Sequence, residues 1–363
     1  MRPSYGDFIL EQERREKRKK VTVITVVAVV LLLIVVAVGV VFSLRNGFFS
    51  NKDVMTGANE TGQETYYTHE EVEELIEMTM ATAKEEASAE TLGEIKQLLA
   101  EGKSAVEAFR IVYTDDLVVA ADGKYHFVPI RDDLQHNEYQ VEHLQVLETG
   151  EFQYVEEGQV TSYKGIDVSR FQGKIDWDAV AADGVSFAFI RVGNRGYGNG
   201  AMVEDPNFEQ NIKGANAAGV KVGVYFFSQA ITEEEAIEEA YFVLEKIAPY
   251  QIDCPIVCDL EMIAGDEGRA DSLTPEQRTQ MMKVFCDTIA AAGYQPMIYM
   301  NLEMAAIRVN LEELEAYDKW FAYYNPKMYF PYEYKVWQYS ESGRVAGVPE
   351  LVDMNICFEP IWK

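Results

Sequence analysis

The C-terminal half of this chain is expected to close into an irregular α/β barrel of eight strands and five helices. Three observations predict it. From residue 163 onward, short apolar runs alternate with amphipathic stretches, and that alternation builds a parallel sheet with helices outside. The helical stretches carry matching end signals: Thr232 and Thr274 stand at N-cap positions, Pro275 opens its helix, and Gly219 and Gly293 close theirs. After "KWFAYYN" no room is left for a full helix before the next strands, so the barrel is TIM-like but irregular in its last third.

The elements follow in chain order. Residues 1–20 hold seven Lys/Arg and four Asp/Glu, a net of +3, while the whole chain carries −28. The remainder therefore carries −31, and a chain this acidic offers no basic footprint for nucleic acid. Residues 21–44 contain no charge and are almost wholly Val, Ile, Leu and Ala. At ~1.5 Å per residue this run exceeds the ~30 Å hydrocarbon core, so it reads as a transmembrane signal-anchor in the lipid bilayer of the cytoplasmic membrane. It is too long for the apolar core of a cleaved leader, and "FSLRNGFFS" offers no small-x-small cleavage site. The cluster "RREKRKK" before it places the N-terminus in the cytoplasm and everything beyond about residue 45 outside.

Residues 45–68 are polar and read as a linker. Residues 69–102 are strong helix formers with imperfect helical spacing, interrupted by Gly93, which fits either a solvated helical stalk or a short coiled coil that would make a homodimer. Residues 103–160 carry two hairpin signals, around Ala-Asp-Gly and around Thr-Gly, and read as a small β-containing stalk domain. Residues 161–363 are the barrel. Its strands are "YKGIDV", "FAFIRV", "KVGVYFFS", "PIVCDLE", "PMIYMN", "KWFAYYN", "YKVWQYS" and "VDMNICF"; its helices fall at 177–182, 206–218, 233–248, 275–292 and 311–317. Cys254, Cys258, Cys286 and Cys357 lack metal-ligand spacing and read mostly as buried thiols, with a Cys258–Cys286 pairing left open.

In such a barrel the site lies at the C-terminal ends of the strands. Asp167 ends the first strand, Asp259 and Glu261 end the fourth, and Asp353 lies on the eighth. Side chains two apart on a strand share a face, so Asp259 and Glu261 aim together into the mouth, with Cys258 and Leu260 toward the helices. Four convergent carboxylates repel and raise one another's pKa, which keeps a general acid protonated near neutrality. Tyr225, Tyr299, Trp320, Tyr323 and Trp337 lie near strand ends, with Gln338 and Asn355 among them. Acids beside aromatic faces are what glycosidic cleavage needs. The four histidines, His69, His126, His136 and His143, all lie outside the barrel, so neither a metal nor a cofactor is expected.

At these residues the chain resembles the glycoside hydrolase family 25 lysozymes, N-acetylmuramidases of the cellosyl and phage-endolysin type. The resemblance rests on "GIDVSRFQGKIDW", "FAFIRVG", "GVYFFS", the D-x-E of "CDLE", "WQY" and "VDMN", over about residues 163–358. It implies hydrolysis of the β-1,4 bond between N-acetylmuramic acid and N-acetylglucosamine in peptidoglycan. By position, Glu261 would be the general acid, Asp259 would orient or polarise the substrate, and Asp167 and Asp353 would complete the acidic set. Tyr225-Phe226-Phe227 departs from the family's Tyr-His-Phe, and the segment from Arg191 to Arg195 departs from its Lys-Ala-Thr-Glu-Gly. Retaining, inverting and substrate-assisted routes all fit. Two other readings compete with an anchored muramidase: a non-catalytic glycan-binding module on a stalk, and a stalk-mediated scaffold for a wall-remodelling complex.

Overall fold

The computed structural model describes residues 55–58, 64–67, 69–263, 265, 267–325 and 327–362. The expected tail, the apolar span and most of the linker lie outside the described residues. Among the described residues, no helix is long and apolar enough to cross a membrane. The chain divides into two compact units, Met1–Gly93 and Glu94–Lys363. In the first, strands β1 (Met55–Ala58) and β2 (Glu64–Tyr67) pair antiparallel. Helix α1 (His69–Ala100) begins there, and its Met78 and Met80 are exposed.

The second unit opens with α2 (Ala105–Val112), started by a reciprocal cap in which Ser104 and Glu107 bond each other's backbone N–H. Strands β3 (Asp116–Ala121) and β4 (Lys124–Pro129) form the first expected hairpin. Asp122 and Gly123 take φ of 52° and 70° at its tip, the left-handed pair that a two-residue turn needs to match strand twist. Strands β5 (Leu144–Val146), β6 (Phe152–Glu156) and β7 (Gln159–Val160) form a second small antiparallel sheet.

This segment is not set apart as a stalk: it belongs to one compact unit with the barrel. Phe152 stacks on Tyr339 at 4.3 Å and Tyr139 on Phe358 at 3.9 Å. The Tyr139 hydroxyl donates to the Tyr334 carbonyl, and the Arg131 amide donates to the Tyr332 hydroxyl. The contacts join positions about two hundred residues apart, so hydrophobic burial across them holds the two parts as one body.

The barrel strands are β8 (Tyr163–Val168), β9 (Phe187–Arg195), β11 (Lys221–Phe227), β12 (Ile256–Asp259), β13 (Pro296–Asn301), β14 (Asp318–Ala322), β15 (Val336–Gly343) and β16 (Val352–Cys357), with β10 (Met202–Glu204) hairpinned onto β9. They close in that order, β16 returning to β8. Helices α3 (Trp177–Ala182), α4 (Phe208–Ala218), α5 (Glu233–Ile247) and α6 (Pro275–Ala291) cover the outside. Thr232 and Thr274 cap as expected, and Gly219 closes α4 at φ 77°.

Two expectations need correction. The fifth helix, expected at 311–317, is instead a 3-10 turn, Leu311–Leu314; a π-type turn, Met304–Arg308, precedes it, and extended Val309 (φ −138°) lies between the two. The sheet is also not parallel throughout, since β16 runs antiparallel to both β15 and β8. The link from β15 to β16 is too short for a crossover helix, so the chain can only turn back. The barrel mouth therefore receives the start of β16, not its end.

Alternation sorts the core into two layers. Val222, Val224, Ile256, Cys258 and Ile298 pack outward against the helices, while Phe187, Phe189, Val257, Met297, Trp320 and Val336 plug the interior. Gly165 and Gly223 make that plug fit: a Cβ at either would strike the ring of Phe187 or Phe189. All four cysteines are buried and unbonded, so the Cys258–Cys286 pairing is not made.

Candidate active site

Above the apolar plug the inward positions turn polar. Asp167 and Asp353 are direct cross-strand partners on β8 and β16, and their side chains hydrogen-bond each other. Asp167 Oδ2 also accepts from Gln338 Nε2 and Asn355 Nδ2, both at 2.8 Å. Behind them, Trp320 Nε1 donates to Asn355 Oδ1 at 2.8 Å. Tyr299 and Tyr324 donate their hydroxyls to Gln338 Oε1 at 3.0 and 2.8 Å. Four strands, β13 to β16, and the segment after β14 thus fix one carboxylate. With three donors on it, Asp167 is the partner that holds charge, and Asp353 is the one that carries the shared proton.

The protonation order follows. Burial lifts Asp167 to about 6, against the pull of its hydrogen bonds. Asp353 is pushed up to about 9 by burial and by the neighbouring Asp167 charge. Glu261 rises to about 7, from burial first and the Asp167 charge second. Asp259 is raised well above the ordinary carboxylate range by burial and then by Glu261 and Asp167, with Arg191 opposing. Asp259 Oδ1 is buried without a hydrogen-bond partner, an oxygen that an incoming N–H or O–H would satisfy.

Strand β12 ends at Asp259, so Glu261 stands in the loop just beyond it and not on the strand as expected. It is partly exposed, whereas Asp259 is buried. A cavity of about 420 Å³ opens beside it, lined by Glu261, Tyr299 and Tyr324 among others.

The structure brings all four acids together with Gln338, Asn355, Tyr225 and Tyr299. It treats the other expected aromatics differently. Trp320 is buried, stacked on Phe189 at 4.5 Å and edge-on to Tyr299 at 4.9 Å, so it props the site from beneath. Trp337 faces outward: it packs on Phe152 and Tyr339 and donates to the Tyr323 carbonyl, because on β15 the inward positions are Val336 and Gln338. Tyr323 likewise points toward α2 and β3, where its hydroxyl accepts from Arg110.

The sequence reading missed Tyr324, and strand parity would have found it: Trp320, Ala322 and Tyr324 share one face, Phe321 and Tyr323 the other. It also missed Phe171 in "SRFQG", exposed just past β8 with the Arg170 and Arg191 guanidiniums over its ring at 4.9 and 5.2 Å.

The model of the glycosyl hydrolases family 25 matches residues 166–348, half of the chain. This chain belongs to that family. The match takes in Asp167, Asp259 and Glu261 and stops short of Asp353. Among curated proteins, the autolytic lysozyme of Clostridium acetobutylicum is 25% identical over 193 residues, 53% of this chain and 55% of that protein. An uncharacterized protein, YegX of Escherichia coli, is 30% identical over 206 residues, 53% of this chain and 68% of that protein. Among solved structures, the modular autolysin LytC of Streptococcus pneumoniae has a TM-score of 0.50 at 26% identity, covering 66% of this chain and 51% of that one. The family 25 chain thus spans about half the length of the autolytic lysozyme and of LytC.

Proposed function

We propose that this family 25 chain hydrolyses peptidoglycan, cleaving the β-1,4 bond between N-acetylmuramic acid and N-acetylglucosamine. The observation that carries the reading is Glu261, poised near 7 beside an open cavity, with the buried, unpartnered Asp259 oxygen two residues away. A carboxylic acid with a pKa near the working pH gives up and regains its proton readily.

In this reading Glu261 protonates the glycosidic oxygen as the C1–O bond breaks. The sugar's own acetamido oxygen closes on C1, and its N–H is held by Asp259 Oδ1, whose own proton leaves to solvent as the sugar binds. Water then opens the ring, passing a proton back to Glu261. The Asp167–Asp353 pair, clamped by Gln338 and Asn355, sustains negative charge near the developing cation. Residues 21–44 would anchor the chain in the membrane with the barrel outside, and α1 would pair two copies; carbonate-resistant membrane retention and a dimer mass of the full chain are the measurements for those two points.

The deciding experiment is digestion of purified peptidoglycan by the full chain, with mass analysis of the new ends. Muramic acid at the reducing end supports the proposal. Glucosamine there would replace it with another glycosidase, and binding without new ends would replace it with the non-catalytic module.

A further inference from the structure

The cavity beside Glu261 has two walls of different origin. One is barrel: Glu261, Tyr299, Tyr324 and Glu303 line it. The other is the preceding segment, with Val106 and Arg110 from α2 and Val119 and Ala120 from β3. The family match begins only at residue 166, so this second wall lies outside the matched residues.

This second wall is held firmly. Arg110 Nε donates to the Val118 carbonyl at 2.9 Å and Nη1 to the Tyr323 hydroxyl at 3.1 Å. Its guanidinium lies 4.9 Å over the Tyr329 ring, and the Tyr329 hydroxyl ties back to Val118 N at 2.8 Å and Asp116 O at 3.2 Å. At the far edge Arg308 grips both oxygens of Asp122, at 2.8 and 2.9 Å. A wall fixed at both ends is pre-organised for a ligand.

Its charge is out of keeping with its surroundings. The chain carries −28, and the opposite wall presents Glu261 and Glu303. Arg110 is partly buried, and among the described residues it makes no ion pair. Glu107, one turn before it, is occupied by the Ser104 cap, and Glu303 is taken by Arg308. A cation held by aromatic rings and a carbonyl, facing a cavity of about 420 Å³, retains unspent capacity for an anion.

We propose that α2 and β3 complete the substrate cleft as a further subsite, and that Arg110 there selects a sugar bearing a carboxylate arm. This rests on the peptidoglycan reading, in which alternate sugars carry a lactyl arm that ends in a free carboxylate or, where peptide extends it, in the carboxylates of that peptide. The subsite makes residues 105–121 a specificity element of the catalytic unit.

The test uses the full chain and two forms of one ligand: muramic-acid glycan fragments, and the same fragments with their carboxyls reduced to alcohols. Binding is measured by calorimetry in a Glu261→Gln background, with and without Arg110→Met. The carboxylated form should bind about tenfold more weakly after Arg110→Met, and the reduced form equally well with or without it. Ala120→Trp, which fills the cavity and spares Arg110, should weaken both forms. Melting curves report whether each variant is folded.

Unchanged binding of the carboxylated form by a folded Arg110→Met protein would overturn the subsite, as would equal weakening of both forms. Turnover by the parent chain is scored separately. Turnover with indifferent Arg110 removes the subsite and keeps the function; Arg110-dependent binding without turnover does the reverse.

Discussion

Glu261 and Glu239 are both pushed by burial to about 7, yet they sit in opposite kinds of place. Glu239, on α5 behind the sheet, is fully buried. It accepts from Ser228 Oγ at 2.6 Å, Arg195 Nε at 2.7 Å and the Gln229 amide at 3.3 Å. Glu261 faces a cavity, and its neighbour Asp259 has an oxygen with no partner. A raised pKa therefore does not tell a working acid from a structural one; what tells them apart is whether the protein has already used the oxygens.

The sharpest way to break this contrast is to neutralise both acids. Glu261→Gln keeps shape and removes the proton donor, so turnover should fall by about 10²–10⁴-fold while the melting temperature holds. Assays on purified cell walls check it, and near-normal turnover would remove Glu261 from the chemistry. Glu239→Leu should do the converse. Of the carboxylates around the buried Arg195 guanidinium it leaves Glu238 and the more distant Glu235, costing about 3 kcal/mol of stability, while turnover per folded molecule stays level. Denaturant titration measures it, and a turnover loss at full stability would erase the distinction.

The Asp167–Asp353 pair sharpens the contrast through pH. The folded Asp353 carboxyl titrates near 9 against an ordinary 3.8, so between these values the unfolded chain releases a proton that the fold retains. That contribution is complete below about pH 4 and is lost as pH rises through about 9. Asp353→Asn removes the titration, and its amide can donate to Asp167 in place of the proton. The variant should melt several degrees above the parent at mildly alkaline pH, with the gap closing toward pH 4. Parallel melting curves across that range would mean that Asp353 is not the proton carrier.

Legibility in the sequence tracked distance along the chain. The eight strands and the caps at Thr232, Thr274 and Gly219 were readable because propensity, parity and capping act over a few residues. The acids were readable because each ends or begins an apolar run. The antiparallel return of β16 leaves one trace in the sequence, the missing helix before it, and that trace fits an irregular crossover as well as a reversal. Nearness to a strand end picks out Tyr323 and Trp337 along with Gln338, whereas parity keeps Gln338 and replaces Tyr323 with Tyr324. The joining of residues 104–160 to the barrel left no local trace, since contacts such as Arg110 with Tyr323 span more than two hundred positions.

The smallest expected effect concerns Tyr324, the residue that parity would have supplied. Its hydroxyl and that of Tyr299 share Gln338 Oε1, and Gln338 in turn holds Asp167. Tyr324→Phe removes one of two donors to that oxygen, worth about 1 kcal/mol at most, because Tyr299 still orients the amide. The expected outcome is a two- to five-fold loss of kcat with KM nearly unchanged, and a small upward drift of the acid limb of the pH–rate profile as Asp167 is held less tightly. Tyr323→Phe should leave that limb in place, since its hydroxyl meets only Arg110 across the cavity wall. Should the two variants shift the profile alike, the network from Tyr324 through Gln338 to Asp167 would not be what positions the acids, and the line between satisfied and unsatisfied carboxylates would have to be redrawn from Asp259 alone.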